Sequence, residues 1–576
     1  MPPLRYARNK HNEHLVRARE VQGRVVTLLV RWKQTGRQKF RDATLNYIRQ
    51  IGQWEYWSWV TWRQGDPSPD AIFDLSYGEN SATLAIAYDW LHDSLSTDER
   101  KLFVRIARER PFLSGLKHAR PGGAWWFGTP DCNWNTVCAG GLGMLCLAMY
   151  EDVPEARTLL PRCDESIGPF MRLLNETDGG WPEGIGYWNY GMRYAFMYLL
   201  SCESATGKRH PLMGLKGVRQ TLSFPLDFCP HGQPCSFSDV NKWRPMPFHY
   251  AAAARLKQDD VVQALDTALE RTGVAPGGAW PNAAEWLLLH PDTRESRPAR
   301  ARGGVKLYRG IDWGIIADTM PEPSLYMAVR GGTTKVPHGH RDLLSFHCVA
   351  GGERLITDVK PAEYLDSTFS PRRNELFEMA PVSKNTILIN GVGIAAGSEL
   401  NSTRVLSFSN AQGLRLDATS AMGDYLDNPA ASFCCRLILL LAGRAFLIVD
   451  RVVLPHTGQM ESRMHTFAPV KTTRSGALIS GRKQKLRVAY SCTTPAILRT
   501  AASAPTSPST PSSTILRWCT NGGLNTDMTM ATLLSPGAGT ARIAVEQTRN
   551  RLRISASGPQ FSESIEMNLK LRPTRT

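Results

Sequence analysis

The stretch ESRPARARGG (295–304) decides the fold, because the periodicity of the chain changes across it. It has Pro, Gly and repeated Arg with no apolar residue larger than Ala, which is the composition of a linker with nothing to bury. On its N-terminal side apolar residues recur at helical spacing. Residues 21–54 read as amphipathic, and residues 81–95 place Leu84, Tyr88 and Leu91 along one face. Ser96-Thr97-Asp98-Glu99 is a capping box that starts a further helix through Phe103 and Ile106. Helical patterns follow at 140–150, 154–174, 187–206 and 259–272, separated by Gly- and Trp-rich loops at 121–135, 178–186 and 273–281. Helices of similar length joined by aromatic loops predict a helical toroid or solenoid with its functional loops on one face. On the C-terminal side short β-type runs take over at 325–329, 343–349, 354–358, 386–389, 437–442 and 445–453. The last two, broken at Gly443-Arg444, predict a hairpin, and AASAPTSPSTPSST (501–514) predicts a mobile low-complexity loop. The expected organisation is a helical domain over 1–297 and an antiparallel β domain over 303–576.

Composition narrows the function classes. The chain has 576 residues, 42% hydrophobic and 21% charged, with 16 Trp, 16 Tyr and 19 Phe, too many aromatics for a disordered chain. No apolar run approaches the roughly 20 residues of a membrane span. The 68 Lys+Arg against 52 Asp+Glu give a net charge of +16, which favours an acidic partner. The basic residues are scattered and form no dense run or zinc-finger spacing, so nucleic acid is not the expected partner. The twelve Cys show no disulfide or CxxC spacing and read as buried thiols. MPPLRYARNKHNEH (1–14) lacks the apolar core of a signal peptide.

Three clusters carry chemistry: Trp125-Trp126 with NWNTVCAGG (133–141), DGGWPEGIGYWNYG (178–191), and HGHRDLLSF (338–346) followed by GERLITD (352–358) and KNTILING (384–391). In this order, and across a helical and then a β domain, they resemble the heparinase II/III-like polysaccharide lyases, from about residue 20 to Val453. The resemblance implies an incomplete (α/α) toroid followed by an antiparallel β-sandwich. It also implies β-elimination on a uronate-containing acidic polysaccharide or oligosaccharide, leaving a 4,5-unsaturated end. In that reaction the carboxylate next to the acidic C5 proton must be neutralised before a second negative charge develops. A base must take the proton and an acid must serve the leaving oxygen.

By this resemblance Asn133 is the carboxylate partner, since an amide donates without titrating; the competing reading is a cap on the following helix. Tyr187 moves the protons, with Tyr190 second. A phenol has a pKa of about 10, so a phenolate needs positive charge from Arg193, Arg341 or His338. His338 is the β domain's active-site imidazole, and in an extended strand it would share a face with His340 and Asp342. Trp126, Trp134 and Trp188 are the expected sugar-stacking residues, with Glu183, Arg193 and Arg341 as polar substrate contacts. No cofactor is required for this chemistry. Some relatives hold a structural zinc through residues matching His340, Asp358 and a third imidazole, but the third position here is Lys384. An ammonium is a poor zinc ligand. A metal-free site with Lys384 salt-bridged to Asp358 is therefore preferred over a zinc shell completed by His347 or His465. Two other readings remain: an acidic-glycan-binding protein without catalysis, and a glycoside hydrolase using Asp178 and Glu183. The family's enzymes meet their substrates in the periplasm or outside the cell, an expectation that the N-terminal sequence does not itself carry.

Overall fold

The structure is a computed structural model describing residues 13–240, 242–273, 285–286, 303–422, 431–473, 476–521 and 525–574. The linker at 295–304 falls almost wholly outside the described residues. Before it the chain is helical and after it sheet-rich, as the periodicity predicts. The helices are α1 (Glu13–Thr35), α2 (Gln38–Gln53), α3 (Leu75–Leu91), α4 (Thr97–Ala107), α5 (Leu113–His118), α6 (Trp134–Ala148), α7 (Pro154–Glu176), α8 (Ile185–Thr206), α9 (Lys216–Thr221), α10 (Phe224–Asp227), α11 (Pro247–Arg255) and α12 (Asp259–Thr272).

Local chemistry sets several boundaries. Gly36, in the left-handed region at φ 66°, separates α1 from α2 inside what the pattern reads as one helix. The capping box forms: Ser96 accepts from Glu99 N, and the Glu99 carboxylate accepts from Ser96 N. The loop expected to run to Asn135 ends earlier, because α6 begins at Trp134. The α6 glycines explain its position. A Cβ at Gly141 would stand 2.0 Å from Gly78 O, and one at Gly140 would stand 2.9 Å from Tyr194 O. Only glycine lets α6 wedge backbone to backbone between α3 and α8. That wedge carries Asn133 to the head of α8.

The β half begins with an antiparallel sheet of β1 (Gly304–Tyr308), β2 (Trp313–Ala317), β3 (Leu325–Arg330), β4 (Phe346–Ala350) and β5 (Glu353–Ile356), in that order. An eight-stranded sheet follows, in which strands Phe433–Leu441 and Ala445–Gly458 form the predicted hairpin with Ala445 opposite Leu441. One face of the first sheet joins the helical core through Tyr308, Trp313, Ile315 and Tyr326, and the other packs against the eight-stranded sheet through Ile316, Met327 and Val329. The eight-stranded sheet is itself a middle layer. Ile438 and Leu440 face the first sheet, while Leu437, Leu439 and Leu441 meet Leu552, Ile554 and Met567 of a three-stranded outer sheet. Burial on both faces is why this hairpin reads as a continuous apolar run rather than an alternating one.

Two expectations about the β half need correction. Residues 338–342 are loop, not strand, with His338 at φ 59°. Of residues 501–514, expected to be a mobile loop, the ends lie in strands and 503–513 are tethered: Ala362 N donates to Thr510 Oγ1, Phe377 N to Thr506 Oγ1 and Ser507 N to Glu378 Oε1. The twelve cysteines are free and all but Cys492 are buried, as expected. Among the described residues no helix is long and apolar enough to cross a membrane.

Candidate active site

The interface between the helical half and the first sheet gathers Asn133, Glu183, Tyr187 and His338. Asn133 occupies the N-cap position of α6, yet its side chain caps nothing; its backbone N–H donates to Glu183 Oε2 at 2.9 Å. Glu183 sits in the turn between α7 and α8. Gly184 follows at φ 91°, where a Cβ would lie 2.6 Å from both Phe237 O and Ser238 Oγ. Glycine there brings the 236–239 loop against the α8 N-terminus.

Tyr187, in the first turn of α8, stacks on the His338 ring with centroids 3.9 Å apart and planes 15° apart. Its hydroxyl bonds the Tyr364 hydroxyl. Burial pushes the Tyr187 hydroxyl well above the usual phenol range, and burial also raises Tyr364. Tyr187 is therefore a hydroxyl that holds its proton, not a resting phenolate. His338 Nδ1 lies 3.0 Å from Asp239 Oδ2, and His340 Nε2 lies 2.8 Å from Asp239 Oδ1, which also accepts from Arg373 at 2.6 Å. Burial alone would raise the Asp239 carboxyl, but the hydrogen bonds from both imidazoles and the Arg373 charge hold it well below the usual range. An ionised carboxylate only accepts, so His338 Nδ1 and His340 Nε2 both donate to it. His338 then turns Nε2 toward Glu183, 3.8 Å from Oε1.

The Glu183 carboxyl is fully buried, and burial pushes its pKa up to about 7. Its Oε2 accepts from Asn133 N and Trp181 Nε1, while Oε1 has no hydrogen-bond partner among the described residues. Because the folded-state value lies above the ordinary 4.5, the folded chain binds more protons between those values. The stability contribution is complete below pH 4.5 and is lost as pH rises through 7, about 3 kcal/mol in all. Glu183→Gln keeps the acceptor for Asn133 and Trp181 and removes the titration. Its stability relative to wild type should rise by about 3 kcal/mol between pH 5 and pH 8 in denaturant titrations; a difference independent of pH would show that Glu183 ionises normally.

Other expected site residues lie elsewhere. Trp126 and Trp188 are core: their indole N–H groups donate to Phe73 O at 2.7 Å and Thr221 Oγ1 at 2.7 Å, and both are buried. Tyr190 donates to Glu79 Oε1 at 2.9 Å under the Arg19 guanidinium, within the helical core. Arg193 is buried against Glu285 and Gln22, so it lends Tyr187 no charge. Arg341 donates to Asn374 O at 2.9 Å. Asp342 does not join the two imidazoles but pairs with Arg330 at 3.2 Å. Trp134 belongs to an aromatic row, with Trp62 at 4.6 Å and Trp125 at 5.1 Å, where Trp125 is 60% exposed.

The residues expected to hold zinc do not fit it. Lys384 Nζ lies 2.9 Å from His340 Nδ1, the nitrogen a metal would need. Both ring nitrogens of His347 are taken by Thr357 and Ser236, and both of His465 by Ser513 and Val382. The expected Lys384–Asp358 salt bridge is also replaced: Asp358 Oδ1 accepts from Ser345 Oγ and Asn385 N instead. Burial, then the Lys384 charge, push His340 down to about 3, so this imidazole is neutral.

Asp239, Tyr364 and Arg373 are the site residues that sequence reading missed. Asp239 ends a Ser236-Phe-Ser-Asp239 loop and Tyr364 follows Asp358 by six residues. Neither has a periodicity or motif of its own. Beside them a cavity of about 370 Å³ is lined by Asp239, Lys242, Arg354, Lys360 and Tyr364.

Comparisons with known proteins agree with this architecture. Residues 303–518 match the family described as Heparinase II/III-like, C-terminal. No curated protein matches the chain. Among solved structures, a heparinase III is similar at TM-score 0.67 and 12% identity, covering 95% of this chain and 83% of that one. A heparan sulfate lyase HepC from Pedobacter heparinus is similar at TM-score 0.67 and 10% identity, covering 95% and 82%. A variant of the chondroitin AC lyase of Streptomyces coelicolor A3 is similar at TM-score 0.50 and 11% identity, covering 95% and 81%.

Proposed function

We propose that this chain, whose residues 303–518 match the Heparinase II/III-like, C-terminal family and whose fold is similar to that of a heparinase III, is a polysaccharide lyase cleaving a uronate-containing acidic glycan by β-elimination. The observation that carries this reading is the convergence of Asn133, Glu183, Tyr187 and His338 from two domains on one interface, with Tyr364 and Asp239 completing it.

Each group has a part that its surroundings favour. The Glu183 carboxyl, which burial pushes up to about 7, and the Asn133 amide beside it are the groups assigned to the substrate carboxylate. His338, oriented by Asp239 through Nδ1, presents Nε2 to the C5 proton. As the C5–H bond breaks, its electron pair forms the C4–C5 double bond and the C4–O4 bond breaks. Tyr187, whose hydroxyl retains its proton, gives it to the departing O4 and is reprotonated through Tyr364. The Trp62–Trp134–Trp125 row offers ring faces for sugars. Lys242 and Arg354 add positive charge to the adjoining cavity, where burial, then the Lys384 charge, lower Lys360 to about 7.

The test is ultraviolet absorbance of the unsaturated uronate over a panel of acidic polysaccharides, with and without chelator. A rise on one class, insensitive to chelator, is expected. Binding without absorbance would instead support a non-catalytic glycan-binding protein, and new reducing ends without unsaturation a hydrolase.

A further inference from the structure

Lys384 is fully buried, and its ammonium meets three acceptors: His340 Nδ1 at 2.9 Å, Glu378 O at 2.7 Å and Val359 O at 3.2 Å. An ammonium has three N–H donors and no acceptor, whereas a neutral amine has only two. Three acceptors around Nζ therefore use every hydrogen of the charged form and would leave one contact empty in the neutral form. None of the three acceptors carries charge; burial lowers the Lys384 ammonium from its usual range, and the carboxylates of Asp358 and Asp342 oppose that through space.

The consequence runs along a chain of single-choice hydrogen bonds. Since Nζ can only donate, His340 Nδ1 must accept, and the hydrogen of a neutral imidazole then sits on Nε2. That hydrogen points at Asp239 Oδ1, 2.8 Å away. The other Asp239 oxygen takes the His338 Nδ1 hydrogen at 3.0 Å, which leaves His338 Nε2 directed at Glu183. A cation at the Nζ position thus acts together with the Asp239 carboxylate to set the direction of every hydrogen between Lys384 and the imidazole that faces the site. Replacing it with an apolar group removes one of the two groups that hold the His340 hydrogen on Nε2, leaves Nδ1 without its donor, and leaves the Asp239 carboxylate alone to fix the ring.

We propose that Lys384 is a positioning residue whose buried ammonium takes the place of a metal ion on His340, fixing the His340–Asp239–His338 array without zinc. Its effect on turnover rests on the lyase reading above; the absence of zinc from this position and the fixed His340 tautomer do not. A second shell of this kind around a metal is typically worth 10–100-fold in activity or affinity, and the same range applies where an ammonium provides the charge.

Three measurements on the full-length chain test the proposal, and the first two need no substrate. Nitrogen-15 histidine spectra of the wild type should show His340 with its hydrogen on Nε2; a predominant Nδ1–H tautomer overturns the proposal. After dialysis against zinc, Lys384→His should hold one zinc more than wild type, and Asp358→Asn in that background should lose it. No gain in a folded variant, or a wild-type zinc abolished by His340→Ala, overturns it. If Lys384→His fails to fold, the wild-type spectrum and the wild-type zinc content still decide. With a substrate in hand, Lys384→Met should lower kcat 10–100-fold with KM within about threefold, and an unchanged kcat would remove the positioning role. A chain inactive on every polymer would count against the lyase reading alone, because the tautomer and zinc measurements stand apart from turnover.

Discussion

Tyr187→Phe is expected to lower kcat by about 10³-fold while leaving KM within about threefold, the range for loss of a positioned proton-transfer group. The substitution keeps the ring that stacks on His338 at 3.9 Å and removes only the hydroxyl shared with Tyr364. Packing is therefore preserved and the loss isolates proton transfer. Because burial keeps the Tyr187 hydroxyl protonated, it acts as the acid toward O4, and a substrate with a better leaving group at C4 should recover part of the lost rate. Tyr190→Phe provides the control: its hydroxyl bonds Glu79 in the helical core, so it should cost about 1.5–3 kcal/mol of stability and little kcat. Initial rates by ultraviolet absorbance, with binding measured separately, distinguish the two. A Tyr187→Phe enzyme retaining more than a tenth of the wild-type rate would place the acid elsewhere.

The contrast between these tyrosines shows what could be read from the sequence. The helical half, the β half and the 443–444 hairpin follow from periodicity, and the capping box at Ser96 from local chemistry alone. Asn133, Glu183, Tyr187 and His338 also lie together, Asn133 and Tyr187 at the starts of α6 and α8, and Glu183 and His338 in turns beside Gly184 and Gly339. The errors arise where a single residue's direction matters. Trp188 is one step from Tyr187, but 100° per residue turns it away from the interface and onto Thr221. Tyr190 and Arg193 turn into a buried polar network with Glu79, Gln22 and Glu285, partners 92 to 171 residues distant. Asp239 and Tyr364 were invisible for the converse reason. Each is an isolated polar residue in a loop, and what makes it functional is a crossing between domains that no local pattern records. Lys384 departs from the family pattern, and charge alone points to Asp358 as its partner, whereas geometry gives His340 and two carbonyls.

Asp239→Asn should produce the other large loss, about 10²- to 10⁴-fold in kcat, with a smaller change in KM. The carboxylate accepts from His338 Nδ1, His340 Nε2 and Arg373 at once. An asparagine has one acceptor oxygen and an NH₂ that only donates. If the oxygen stays with His340 and Arg373, the NH₂ faces His338 Nδ1 and forces its hydrogen onto Nε2, leaving no lone pair for the C5 proton. If the oxygen turns to His338, His340 meets the NH₂ while Lys384 donates to its other nitrogen, so an imidazole would need two lone pairs. Either arrangement breaks the chain of directions, although the volume is unchanged. Removing one charge from a buried ionic cluster also costs about 3–5 kcal/mol of stability, so rates must be taken where circular dichroism shows the variant folded. Under those conditions the two effects separate: lost stability lowers the amount of active enzyme, whereas a disordered His338 lowers the turnover of each folded molecule. Full kcat per folded molecule in Asp239→Asn would mean that His338 is not the base, and would leave the Tyr187–Tyr364 hydroxyl pair to carry both proton transfers.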